Sequence, residues 1–218
     1  MQLLGVAAER IHIAPDLVAL PPVPAPAHLP RPAGAPLRLL FLARIAPIKN
    51  LDFALRVLAF VRVPVEFVIC GPVEDAAHAA ACRDLARRLP GHVVVAWKGG
   101  IPPARVADLM AQSDLFFLPS QSESFGHAIA EALGAGTPVL ISDRTPWRGL
   151  ASAGVGADLA LDDPAAFARV IEAQAALTPA EALAQRARAC AHARRHLSDA
   201  ADRGALRRLF ADLAAGRA

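Results

Sequence analysis

The stretch Asp114–Ser142, DLFFLPSQSESFGHAIAEALGAGTPVLIS, limits the fold more than any other part of the chain. Two short, uncharged, apolar runs sit at its two ends. Between them lie a Ser/Glu-rich loop, a segment of helical period and a glycine turn. It reads as strand, polar loop, helix, turn, strand. Strands this apolar are buried on both faces, and two such strands joined through a helix run parallel.

The same alternation starts upstream at Leu37. Strand LRLLFLA leads through the turn ARIAPIKN to a helix over Leu51–Val61. Strand VEFVIC ends at Gly71-Pro72, and a helix follows from Asp75 to Leu89. Strand HVVVAW ends at Lys98-Gly99-Gly100, before a helix from Pro103 to Gln112. After the Asp114–Ser142 unit, GADLAL makes one more strand. Beyond Pro164 only helices are expected: AAFARVIEAQAAL, then Pro179–His196, then Asp199–Ala214. Pro103 and Pro179 are first-turn prolines, and Asp162-Asp163 before Pro164 reads as a helix cap. The pattern predicts an α/β protein: a doubly wound, Rossmann-like parallel sheet with helices on both faces and a helical C-terminal extension. Residues 1–36 stand apart. IHIAP is one short strand, and LPPVPAPAHLPRPAGAP is a Pro-rich linker. The domain proper covers 37–218.

Composition removes several functional classes. A chain of 218 residues with 55% hydrophobic and 20% charged residues can fill a globular core. Its net charge of +3, with no basic run interleaved with aromatics, argues against nucleic acid. No stretch reaches the roughly 18 apolar residues of a membrane span, and Leu17–Pro36 is broken by prolines. The start lacks a basic region followed by an apolar run, so no signal peptide is read. Cys70, Cys82 and Cys190 have no paired spacing and read as free thiols in a reducing, cytoplasmic setting. His12, His28, His78, His92, His192 and His196 are scattered, without metal-ligand spacing. Walker, dinucleotide and nucleophile-elbow motifs are absent from the sequence.

In an open parallel sheet, ligands bind beyond the carboxyl ends of the strands. The polar exceptions of this chain gather there. Arg44 and Lys49 follow the first strand, Gly71 the second, and Lys98, Gly99 and Gly100 the third. Ser120, Ser122, Glu123 and Ser124 follow the fourth, and Asp143 and Arg144 the fifth. Lys49 and Lys98 are the only two lysines, and both lie just past a strand. Arg44 and Lys49 make a natural diphosphate clamp. Glu123 precedes a helix whose start offers N–H groups and a positive end to an anion, and Glu131 lies in its second turn. Ionised carboxylates accept from hydroxyls. An anion site flanked by two hydroxyl acceptors is what a sugar nucleotide requires. Gly126 lets backbone approach a ligand. His127 shares a helix face with Glu131; it either donates to a leaving phosphate or is a polar helix-start residue.

With these residues in hand, the chain resembles the C-terminal half of the retaining glycosyltransferases of family 4, which have the GT-B fold. The resemblance runs from Leu37 to Leu161 and rests on ARIAPIKNLDFAL, VICGP, AWKGGIPPARVADLMAQSDLFFLPS, ESFGHAIAEALGAGTPVLIS and DRTPW, in the family's order. It implies that Arg44 and Lys49 hold the donor diphosphate, that Glu123 meets the donor sugar and Glu131 the nucleotide ribose. Backbone of Phe125, Gly126, His127 and Ala128 would meet sugar and phosphate, and Ser124 would bind the donor beside them. Lys98, Gly99 and Ile101 would line the base pocket, with Arg105 close by, and Gly71 counts among the donor-binding residues. No metal or other cofactor is implied. Two turn positions depart from the family pattern: Ala43 before Arg44 and Asn50 after Lys49, where glycine is usual. Modified turn geometry is expected at both.

The function implied is sugar-nucleotide binding for retaining transfer of a hexose to a saccharide or lipid-linked acceptor, as in polysaccharide biosynthesis. The acceptor would be reached through an N-terminal domain of which residues 1–36 resemble the end. Alone, the chain would transfer poorly. Two other readings stand beside it: a non-catalytic nucleotide-sugar module or subunit of a split transferase, and a fragment of a GT-B epimerase. The terminal arginines, Arg186, Arg188, Arg194, Arg195, Arg203, Arg207 and Arg208, read as solvated helix faces. A peripheral contact with the inner membrane and a homodimer through the last helix are the alternatives for that region.

Overall fold

The structure is a computed structural model and describes residues 31–32, 34–197 and 200–215. The IHIAP strand and most of the Pro-rich segment fall outside them. The six strands are β1 (Leu37–Leu42), β2 (Val65–Cys70), β3 (Val93–Gly99), β4 (Leu115–Leu118), β5 (Val139–Ser142) and β6 (Gly156–Leu159). The helices are α1 (Leu51–Leu58), α2 (Ala76–Ala86), α3 (Pro103–Ala111), α4 (His127–Gly134), α5 (Pro164–Ala175), α6 (Pro179–Leu197) and α7 (Ala200–Ala214). All strand pairs are parallel, in the order β3-β2-β1-β4-β5-β6. This is the doubly wound Rossmann-like arrangement expected.

The apolar runs explain the layers. Every residue of β4 and of β5 is buried, as strands covered on both faces must be. On one face α1 packs against α2 and α5; on the other α4 packs against α3 and α6. Phe53 of α1 meets Phe167 of α5 edge-on at 5.1 Å, and Phe117 of β4 joins them at 6.0 Å from Phe167. The Asp163 carboxylate caps α5 by accepting from the Ala166 amide at 3.0 Å, as its place before Pro164 predicts.

Helices α1 and α2 end earlier than their apolar period suggests. The chain past α1 continues with Phe60 and Val61 amides bonded to the carbonyls three residues back, Val57 and Leu58. Arg88 and Leu89 past α2 do the same with Leu85 and Ala86. Tightened last turns of this kind keep a buried residue such as Val61 on the helical face without extending the helix. Strand β3 runs two residues further than expected. Ile69 pairs with Trp97 but Cys70 with Gly99, so Lys98 is bulged out of register.

One expectation is corrected. Arg186 is not part of a solvated face; it is buried on α6 and 8% exposed. Its guanidinium donates to the carbonyls of Ser113 (2.8 Å) and Ala111, where α3 ends and would leave acceptors unpaired. Burial pushes its pKa down to about 10, against the pull of Asp114. Asp114, at the amino end of β4, also accepts from the Arg38 amide at 2.9 Å. This end of the sheet is thus pinned by charged groups turned inward. Among the described residues, no helix is long and apolar enough to cross a membrane.

Gly71 closes the opposite end. Its φ is +140°, and a Cβ there would stand 1.8 Å from the Ala43 carbonyl oxygen. Only glycine lets the ends of β1 and β2 approach this closely. Gly71→Ala should lower unfolding free energy by more than about 2 kcal/mol in urea titration. Gly100→Ala, where a Cβ meets nothing within 4 Å, should change it by less than about 0.5 kcal/mol.

Candidate functional site

Strand order reverses at β1. From there the sheet grows toward β2 and β3 on one side and toward β4, β5 and β6 on the other. The loops leaving β1 and β4 therefore part and leave a crevice at their carboxyl ends. Two bonds stitch its floor. The Gln121 amide donates to the Ile48 carbonyl at 2.8 Å, and the Asn50 side-chain amide donates to the Pro119 carbonyl at 3.0 Å. Asn50 sits at φ 58°, ψ 40°, the left-handed conformation that asparagine tolerates best after glycine. Asn50 keeps a backbone that suits glycine and adds a tether that glycine lacks.

The 3-10 turn Pro47–Lys49 ends with Lys49 aimed across the crevice. Its Nζ lies 2.7 Å from Glu123 Oε1, and the Ser120 hydroxyl donates to the same oxygen at 2.8 Å. The two charged side chains are 17% and 10% exposed, so this is an ion pair largely withdrawn from water. Both bonds fall on Oε1, and Oε2 carries neither of them. Glu123 is fixed from behind as well, its amide donating to the Arg144 carbonyl at 3.2 Å.

Arg44 stands at the rim. Its guanidinium pairs with Glu74, from the loop after β2, and both side chains are about half exposed. Arg44 and Lys49 line one cleft of about 570 Å3, together with Ile48 and the run Ser122–Ala128. The predicted clamp residues, Glu123, Ser124, Phe125, Gly126, His127 and Ala128 are thus brought together.

Helix α4 starts at this cleft. Its N-cap, Gly126, has φ 84° and no side chain to bond the first amides. The first intrahelical bonds run from Ile129 and Ala130 back to the Gly126 carbonyl. Helix starts of this kind present N–H groups and partial positive charge to an anion. Glu131, one turn on, does not line the cleft. It is half-buried, and burial raises its carboxyl pKa above the ordinary value, with His127 opposing the rise. His127 is exposed, with its ring 4.7 Å from that of Phe125.

The remaining predicted residues lie apart from the cleft wall. Gly71 touches Ala43 and donates its amide to the Gly99 carbonyl at 2.8 Å, a backbone-joining position. Lys98 and Gly99 end β3 at the same sheet edge. Ile101 and Arg105 line a separate hollow with Pro102, Asp108, Leu109 and Gln112. Sequence reasoning missed Glu74, Asn50 and Trp147, and counted Ser120 without a role. For Ser120 the signal was its place at a strand end beside Glu123.

Residues 31–189 match the family model described as glycosyl transferases group 1. A D-inositol 3-phosphate glycosyltransferase from Xylanimonas cellulosilytica is 32% identical over 162 residues, covering 64% of this chain and 36% of that protein. Another, from Rhodococcus erythropolis, is 36% identical over 110 residues, covering 47% and 25%. The chain therefore spans about a third or less of the length of these curated relatives. Among solved structures, a mutant of S. aureus TarM in complex with fondaparinux, alpha-GlcNAc-glycerol and UDP superposes with a TM-score of 0.75 at 19% identity, over 94% of this chain and 40% of that one. Anabaena HepE in complex with UDP-glucose gives 0.67 at 19% identity, over 81% and 49%. These structural likenesses establish a shared fold, that of GT-B glycosyltransferases.

Two outcomes follow from the charges. Lys49→Met leaves Glu123 withdrawn from water without its cation and should cost about 1–3 kcal/mol of stability. Adding Glu123→Gln should restore at least about half of the loss in a double-mutant cycle. Glu131 titrates above its ordinary value near 4.5, so the unfolded chain ionises first as pH rises. Its carboxylate thus opposes folding above the raised pKa and is neutral toward folding below the ordinary one. Glu131→Gln should therefore be more stable than the parent at pH 7, with the difference gone near pH 4, by urea unfolding at both values.

Proposed function

The chain belongs to the group 1 glycosyl transferases, and on that premise we propose that it is the donor-binding half of a sugar-nucleotide-dependent enzyme. The observation that carries this reading is the cleft at the point where strand order reverses. There a withdrawn Lys49–Glu123 pair faces the start of α4. A donor diphosphate has a place between the amides of α4 and the two cations, Lys49 and Arg44. Its arrival gives Lys49 a second anion to share and weakens its hold on Glu123. The freed carboxylate then accepts from hydroxyls of the donor sugar. Glu131 takes the ribose, and the β3 end from Lys98 to Ile101, with Arg105, takes the base. UDP is the favoured nucleotide, because HepE and TarM, which share the fold, were solved with UDP or UDP-glucose.

In this reading catalysis is electrostatic. Negative charge collects on the leaving diphosphate, and preorganised cations and N–H groups stabilise it more than they stabilise the bound donor. His127 at the first helical position is placed to donate to the same oxygens. Transfer is of a hexose with retention of configuration, to a saccharide or lipid-linked acceptor. Acceptor contacts and closure of the cleft belong to a second domain, so the chain by itself binds donor better than it transfers. Residues 37–218 are the donor domain in this account, and those before them lead in from the other.

Calorimetric titration with UDP and UDP-glucose should show saturable binding. Arg44→Ala and Lys49→Ala should each weaken it about ten- to a hundredfold, the worth of a charge-assisted contact. Unchanged affinity in both variants would remove the clamp assignment.

A further inference from the structure

The segment Asp143–Trp147 follows β5 and is bonded to the cleft loop at two points, Arg144 and Trp147. The Ser142 hydroxyl, at the end of β5, donates to the Ser120 carbonyl. The Arg144 carbonyl accepts from the Glu123 amide at 3.2 Å. The Trp147 indole Nε1 donates to the Phe125 carbonyl at 2.7 Å. Trp147 itself is buried, 7% exposed. The indole also stands beside the N-cap of α4. A Cβ on Gly126 would stand 3.2 Å from Nε1. The far side of the ring is backed by His192 and His196 of α6, with ring centres 6.5 and 6.2 Å away. Trp147 is itself held by a local turn, its amide donating to the Thr145 hydroxyl at 3.2 Å.

From this splint we propose that Trp147 is a positioning residue for the diphosphate of the donor, acting through the Phe125–Gly126 backbone. The inference rests on the donor reading above. A peptide plane carries C=O and the next N–H in fixed opposition. Holding the Phe125 carbonyl on the indole therefore fixes the direction of the Gly126 N–H. It also holds Gly126 at its left-handed φ, from which α4 begins. Without the indole N–H, glycine is free to sample other conformations, and the first amides of α4 lose a fixed common direction. Charge stabilisation by backbone dipoles depends on that direction being set before the ligand arrives.

The test uses Trp147→Phe, which keeps an aromatic ring and removes the N–H. Thr145→Val, which leaves the indole but removes the hydroxyl holding it, gives a milder second variant that also serves if the first does not fold. Two measurements are read for each: hydrogen exchange in the ligand-free protein, and affinity for UDP against uridine. Expected in Trp147→Phe are exchange about tenfold faster for amides of Phe125–Ala130 with the β-sheet core unchanged, and UDP binding weakened about tenfold with uridine changed less than about twofold. Thr145→Val should move both in the same direction and by less. Equal weakening of UDP and uridine would overturn the inference, as would unaltered exchange at Phe125–Ala130. Failure of the parent protein to bind either ligand would sink the donor reading and this inference with it, whereas intact UDP binding with unaltered exchange would overturn the inference alone.

Discussion

Every strand of the sheet runs parallel to its neighbours, so every connection must cross back over a face before the next strand can start. That constraint determines nearly everything else. It sends all the amino ends of the strands to one edge and all the carboxyl ends to the other. It obliges the strands to be apolar on both sides, which is why β4 and β5 have no exposed residue. It also means that loops after β1 and β4 leave side by side and then turn apart, one toward α1 and one toward α4. The crevice is a consequence of connectivity, and the chain has placed its cations and carboxylates where connectivity opens it.

The two edges of the sheet use charge in opposite ways. At the amino edge, Arg186 and Arg31 are bound to backbone carbonyls, and Asp114 is set among Arg38, Arg31 and the start of β1. Backbone acceptors cannot move away without undoing the fold, so these cations are structural. At the carboxyl edge, Lys49 and Arg44 are bound to side-chain carboxylates, Glu123 and Glu74. A side-chain carboxylate can rotate or be replaced by another anion. Both cleft cations are thus neutralised by groups that can exchange. The same logic applies to the raised pKa of Glu131, a carboxyl held in a half-buried place that costs stability and suits a hydrogen-bonding role.

Much of this was legible in the residue pattern, and the limits are physical. Short apolar runs with flanking Gly and Pro located all six strands. A period of two or of 3.6 needs only neighbours in sequence to be read. Arg44, Lys49, Glu123 and Gly126 could be assigned to one edge because parallel strands place their ends alike. Contacts across the crevice could not be read that way. Lys49 and Glu123 are 74 residues apart, and their meeting depends on β1 lying next to β4, a matter of strand order. Arg186 looked like any other arginine on a polar helix, because the acceptors it satisfies belong to the end of a different helix. Trp147 stood out in the sequence only as the last residue of DRTPW. Its working atom is one N–H aimed at one carbonyl, and composition carries no such direction. Asn50 shows the reverse case: a departure from a family glycine that the backbone absorbs, because asparagine also accepts the left-handed conformation.

The central claim is that a sugar nucleotide lies across the crevice between β1 and β4, with its diphosphate at the start of α4. A crystal structure of the chain with UDP-glucose tests this most directly. Phosphate oxygens are expected within hydrogen-bond distance of Lys49 Nζ and of the first amides of α4, with the ribose on the Glu131 side. A nucleotide seated at the amino edge beside Asp114 and Arg186, or a Lys49–Glu123 pair untouched by a ligand bound elsewhere, would contradict it.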